Sequence, residues 1–182
     1  MMSTRGFVGF KKGNEIKGWY NHSSSYYSYL GEKILDKYED YSHDTISDFF
    51  LKNITLVKND KEDRYYQNHK DIFDKDWFVD KVTLQDGSGF LWDGLSCEYG
   101  YVFNLDNDTV EVYRSYFTLP QERVNEGKRF YESFDGTKYY THHVCTITRE
   151  NTEQIRKMFR DEDDLNENAE QNDHWEEKFL VK

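Results

Sequence analysis

Four residues near the start of the chain have the types and spacing for acyl-transfer chemistry: Ser3, Arg5, Asn21 and His22. If both methionines are removed, or translation starts at Met2, Ser3 becomes the N-terminal residue. Its hydroxyl is then a nucleophile, and its own α-amine, with a pKa near ~8, is a base of suitable strength. N-terminal-nucleophile hydrolases begin with a strand that buries the new terminus in a sheet, and a strand here starts at Gly6. Asn21 and His22 fall at the end of its hairpin partner, where an amide and an imidazole can serve an oxyanion. A serine after methionine is also common, and Thr4 and Arg5 serve equally well as structural residues.

Other chemistry is harder to assemble. His142 and His143 are adjacent, so on a strand they face opposite ways. His143 and Cys145 share a face under strict alternation, but no spaced Cys or His pair completes a zinc set. Asp164, Asn166 and Asn168 match the first three ligand positions of a calcium loop. Ala169 then stands where Gly is needed, and Trp175 where a chelating Glu belongs. Glu98, Asp106, Asp108 and Glu111 lie on one hairpin and could supply a carboxylate pair, although turn geometry accounts for the aspartates first. Nucleophile-elbow, phosphate-loop, dinucleotide and zinc-protease motifs are absent from the sequence. No metal and no cofactor are expected.

Charge narrows the partners. The 182 residues carry a net charge of −11. From Asp161 to Glu177 there are nine acids and no Lys or Arg. Phosphate backbones repel such a chain, so direct nucleic-acid binding is not expected, while a basic protein partner and mimicry of a nucleic acid both stay open. The start of the sequence has no apolar run of signal-peptide length, no stretch approaches a membrane span, and two cysteines make no disulfide framework. These features predict a soluble, cytoplasmic protein with reduced thiols.

The elements that must position these residues follow from periodicity. Only 36% of residues are hydrophobic, but 18% are aromatic, including 15 Tyr and 13 Phe. Aromatic rings bury enough area to close a core that is short of aliphatics. GFVGFK and EIKGWY read as strands around a Gly13-Asn14 turn. Tyr27, Leu30, Ile34 and Tyr38 recur at helical spacing, predicting a helix over 26–38 with Gly31 inside it, and a second over 44–53. Residues 54–58 read as a strand, and 59–81 have no clean period. Tyr99, Tyr101, Phe103 and Leu105 alternate on one strand that pairs with 109–117. Residues 129–134 and 138–147 form a further hairpin through Asp135-Gly136. Asn151 and Gln154 open a helix ending near Leu165. Hairpins with flanking helices give an α+β fold: an antiparallel sheet with helices on its faces, in the manner of N-terminal-nucleophile hydrolases. One domain spans 1–160, and 161–182 form an acidic segment.

Three stretches together resemble a largely uncharacterised family of small bacteriophage and bacterial proteins. They are Thr4-Arg5-Gly6-Phe7-Val8-Gly9-Phe10, then Tyr20-Asn21-His22 through Ser25-Tyr26 to Leu30-Gly31, and Cys97-Glu98-Tyr99 through Glu111-Val112-Tyr113. That family opens with a Thr-Arg-Gly strand and continues Tyr-Asn-His-Trp-Asp-Ser-Tyr-Pro before a Leu-Gly helix. Here Ser23, Ser24 and Tyr27 replace its Trp, Asp and Pro. The resemblance implies a phage-type origin and no mechanism. The acidic tail, the abundance of Tyr, the small size and the lack of a complete catalytic motif point to an accessory protein that binds a host protein or small ligand, with blunting of a host defence as one role and Tyr20, Tyr26, Glu98 and Tyr99 as binding residues. The alternative is an amidohydrolase with Ser3 as nucleophile and Arg5, Asn21 and His22 in support.

Overall fold

The computed structural model describes residues 4–57, 81–93, 96–118, 131–132 and 138–168. Strand β1 (Gly6–Lys12) turns at Gly13, whose φ of 56° suits a residue without Cβ, and returns as β2 (Glu15–Asn21). A π-helical turn over Tyr27–Gly31 leads into α1 (Glu32–Asp40). Ser42 caps α2 (His43–Asp48) by accepting the Thr45 N–H at 3.3 Å, and a second π-helical turn follows over Phe49–Asn53. Next come β3 (Ile54–Val57) and β4 (Val82–Gln85), a 3₁₀ turn at Phe90–Trp92, and β5 (Tyr99–Asn104). The chain continues through β6 (Thr109–Thr118), β7 (Tyr131–Glu132), β8 (Lys138–Ile147) and α3 (Thr152–Asn168). The fold is α+β. The Asp135-Gly136 turn and residues 59–80 lie outside the described residues.

The main sheet has the order β2-β1-β5-β6-β8-β7. Its hairpins are antiparallel as expected, but β1 and β5 pair in parallel, as do β3 and β4 in a separate two-stranded sheet. Parallel pairing joins strands distant in sequence, so hairpin signals cannot reveal it. Helices cover one face. Val8, Phe10, Trp19, Tyr101, Phe103, Val110 and Val112 point there, packed against Leu30, Ile34, Tyr38, Phe49 and Phe159. Phe10 stacks on Phe103 with centroids 4.9 Å apart, and Tyr27 stacks on Phe159 at 4.8 Å. Each fully buried Phe contributes roughly 1.5–3 kcal/mol, which is how a chain short of aliphatics closes its core.

A salt-bridge cluster docks α3 on α1. Arg156 meets Asp36 at 2.9 Å and Glu39 at 2.7 Å, while Arg160 meets Glu32 at 2.7 Å. Residues 161–168 continue α3 without a break. The helix thus crosses the 160/161 division between body and acidic segment, and residues 169–182 lie outside the described residues. Among the described residues no helix is long and apolar enough to cross a membrane.

Candidate binding cleft

Strand alternation splits the Tyr20-Asn21-His22 motif. Phe7 pairs with Tyr20 and Gly6 with Asn21, so Tyr20 points away from the helices and Asn21 toward them. Asn21 is buried, and its Nδ2 donates to Ser23 O and Ser25 Oγ, both at 2.7 Å. A carboxamide has two N–H donors, and both are spent holding the corner between β2 and the first helical turn. Tyr101 O–H donates to Ser25 O at 3.0 Å and closes the same corner. His22 is exposed, with Nδ1 3.2 Å from the Tyr20 hydroxyl, and Tyr20 packs edge-on against Phe90 at 4.6 Å.

The other sequence-selected residues meet at one end of the sheet. Arg5 N–H donates to Glu98 Oε1 at 3.2 Å, and the Arg5 guanidinium lies 3.7 Å from the same oxygen. Arg114 lies over the Tyr99 ring at 3.9 Å and donates to Glu98 O at 3.3 Å. Tyr26 and Tyr27 meet Tyr99 edge-on at 6.5 and 4.9 Å. Arg5 with Glu98 and Tyr26 with Tyr99 are therefore paired neighbours at this sheet end, and Asn21 lies across Gly6 of β1 from Tyr99. Ser3 lies outside the described residues.

The four carboxylates of the middle hairpin do not gather. Glu98 faces Arg5, Asp106 Oδ2 accepts the Gly13 N–H at 2.8 Å, Asp108 is held by Arg149, and Glu111 lies on the open face. His143 and Cys145 also part company. A β-bulge between Val112 and Tyr113 pairs Val112 with Cys145 and Tyr113 with His143. Cys145 enters the helix-side core, while His143 turns to Tyr113 on the open face, which corrects the shared face that strict alternation predicts. Among the described residues no group of three or more His, Cys, Asp or Glu is placed to hold a metal.

Ser47, His43 and Asp108 line up in the order of a hydrolytic triad. Ser47 Oγ is 3.4 Å from His43 Nε2, and His43 Nδ1 is 3.4 Å from Asp108 Oδ1. Both distances exceed the ~2.6–3.2 Å reach of proton transfer. Ser47 is buried within α2, and Arg149 grips Asp108 through Nε at 3.2 Å and Nη2 at 3.0 Å. That guanidinium holds the Asp108 carboxyl below its ordinary value. The cluster fits a clamp between α1, α2 and the β5–β6 turn.

Among the described residues, a concave arrangement that could take a ligand lies on the opposite face. Gly9 pairs with Gly18 there, and a Cβ on either would stand within 2.5 Å of the Phe7 ring. Phe7 fills that space, and the 86–93 loop is strapped above it by Gly87 N–H to Gly18 O at 2.9 Å and Thr141 Oγ1 to Leu91 O at 2.6 Å. Between this loop, the β1–β2 turn and β6 a cleft of about 210 Å³ remains. Ile16, Leu91 and Val102 give it apolar walls, Trp92 and Tyr113 aromatic ones, and Lys11 and Glu111 opposite charges.

Glu111 is fixed from behind. Its Oε1 accepts from Asn104 Nδ2 at 2.7 Å, and its Oε2 accepts from the Tyr113 hydroxyl at 2.6 Å. Burial, together with that bond, pushes the Tyr113 phenol far above its ordinary value, so it remains a donor. His143 packs edge-on against Tyr113 at 5.5 Å. Although the residue reaches solvent, desolvation of its ring lowers its pKa against the pull of Glu111, which raises it. Sequence reasoning reached Glu111 and His143 but missed the cleft. The signal was present in β6, where Glu111 and Tyr113 alternate with Val110 and Val112. Trp92, from an aperiodic loop, gave none. No family model matches the chain, and neither the curated proteins nor the solved structures compared with it include a match.

Proposed function

We propose that this chain is a binding protein, a phage-type accessory protein that holds a host protein or small ligand in the cleft beside Glu111. The observation that supports the reading is the cleft itself: apolar and aromatic walls beside a few fixed polar groups resemble the lining of ligand sites, on a smaller scale. The net charge of −11 favours a basic partner over nucleic acid. Trp92 and Tyr113 supply aromatic area of the kind that anchors interfaces. The family resemblance supports a phage-type role, and occupying a host defence protein in the cytoplasm is one use of such a surface. The N-terminal-nucleophile reading draws no support from Asn21, whose donors are committed to Ser23 and Ser25.

Affinity capture from a bacterial host lysate, with the full chain as bait and Trp92→Ala beside it, tests the reading. A partner retained by the wild type and lost by the variant supports it. Equal retention by both places binding elsewhere and removes the cleft from the account.

A further inference from the structure

We infer that the cleft takes one cationic group on an aliphatic stem, a guanidinium or primary ammonium, which is the chemistry of an arginine or lysine side chain. The inference rests on the binding reading above and adds the chemical class of what binds.

A carboxylate offers about four lone-pair sites. Asn104 and Tyr113 fill two at Glu111 and fix its orientation. The remaining acceptor capacity belongs to a side chain that lines the cleft. His143 packs edge-on against Tyr113, and desolvation of its ring disfavours the charged form that would offset Glu111. Trp92 and Tyr113 meet edge-on with centroids 6.4 Å apart, and both line the cleft that the carboxylate lines. Carboxylate and aromatic face together favour a cation, since the ring quadrupole attracts positive charge. Leu91, Ile16 and Val102 can bury methylenes. At about 210 Å³ the cleft is smaller than the roughly 300–1,000 Å³ of pockets that enclose drug-sized ligands, and it suits one side chain.

Lys11 lines the same cleft and opposes a cation there. Its backbone stands two strands from that of Glu111, about 10 Å at the usual strand spacing. A cation in contact with Glu111 gains more than it loses to Lys11 wherever the ammonium lies farther off than the carboxylate.

The test titrates the full-length protein with N-acetyl-argininamide and, separately, N-acetyl-leucinamide, following the backbone N–H resonances of Leu91 and Tyr113, which line the cleft and remain in every variant. The arginine probe should give a saturable shift that the leucine probe does not. Glu111→Gln should weaken it at least tenfold, and Lys11→Ala should not weaken it. If Glu111→Gln disturbs the fold, Trp92→Leu is the second arm, expected to weaken the arginine probe several-fold. A Gly-Arg-Gly peptide binding at least tenfold tighter than ethylguanidinium marks a protein side chain as the source; equal binding marks a small molecule. Equal response to the leucine probe, or affinity unchanged in both Glu111→Gln and Trp92→Leu, overturns the inference. If no arginine probe binds while Trp92→Ala still abolishes partner capture, the cationic assignment falls and the binding reading stands.

Discussion

Replacing Arg149 with alanine should destabilise the fold by about 3 kcal/mol. Arg149 grips both oxygens of Asp108, donates to the carbonyls of Tyr38 and Tyr41, and stacks over the Tyr38 ring at 3.9 Å. Removing one partner of a fully buried ion pair costs about 3–5 kcal/mol. Here the side chains of Arg149 and Asp108 keep 31% and 36% of their exposure, so solvent screens the pair toward the surface value of under about 1 kcal/mol. The two carbonyl bonds contribute about 0.5–1.5 kcal/mol each. The stack adds about 0.5–1 kcal/mol. With an m-value of about 2 kcal/mol per molar urea, the unfolding midpoint should fall by about 1.5 M. Arg149→Lys keeps the charge but loses the fork and the stack, and should recover less than half of the loss. Urea titrations followed by tryptophan fluorescence measure both. A loss under about 1 kcal/mol for Arg149→Ala, or full recovery in Arg149→Lys, refutes the clamp.

Gly31→Ala should lower the melting temperature by several degrees. The new Cβ would lie 2.9 Å from the Phe159 ring and 3.1 Å from the Tyr101 hydroxyl, and overpacking of this kind costs about 1–3 kcal/mol against about 1 kcal/mol gained in helix propensity. A raised melting temperature in a thermal scan would show that Phe159 gives way. Cys97 and Cys145 should resist iodoacetamide in the native state, because burial pushes the Cys145 thiol up to about 12 and Cys97 further still. Mass spectrometry should find both alkylated only after unfolding; labelling of the native protein at pH 8 would contradict that. Stability should fall as pH rises through about 10 to 12. Burial raises the Tyr38 phenol to about 12 against an ordinary value near 10, so over that interval the native state binds more protons than the unfolded one. A urea midpoint equal at pH 9 and pH 11.5 would argue against this.

Local signals carried much of the fold. Gly13-Asn14 marked the first hairpin, and the alternation of Tyr99, Tyr101 and Phe103 marked the core face of β5, because both depend on neighbours in sequence. The periodicity of Tyr27, Leu30, Ile34 and Tyr38 found a helical run, although its first turn is π-helical where Gly31 packs against Phe159. What escaped was non-local. The β1–β5 pairing is parallel and joins residues far apart in the chain, and the bulge beside Val112 reversed the expected face of His143. Of the expected binding residues, Tyr26, Glu98 and Tyr99 gather at one sheet end beside Arg5, while Tyr20 lies on the opposite face against Phe90. The residues of the cleft come from β1, β2, an aperiodic loop, β5 and β6, and no single stretch of sequence holds enough of them to announce a site.

Photo-crosslinking from the cleft rim tests the binding claim most directly. Asn14 is exposed and lines the cleft, whereas Ser28 is exposed on the helical side. With a photoreactive residue at position 14 or at position 28, irradiation in host extract should join a basic partner to the first protein and not to the second. A partner crosslinked from position 28 alone, or from neither position, would contradict the assignment of the cleft.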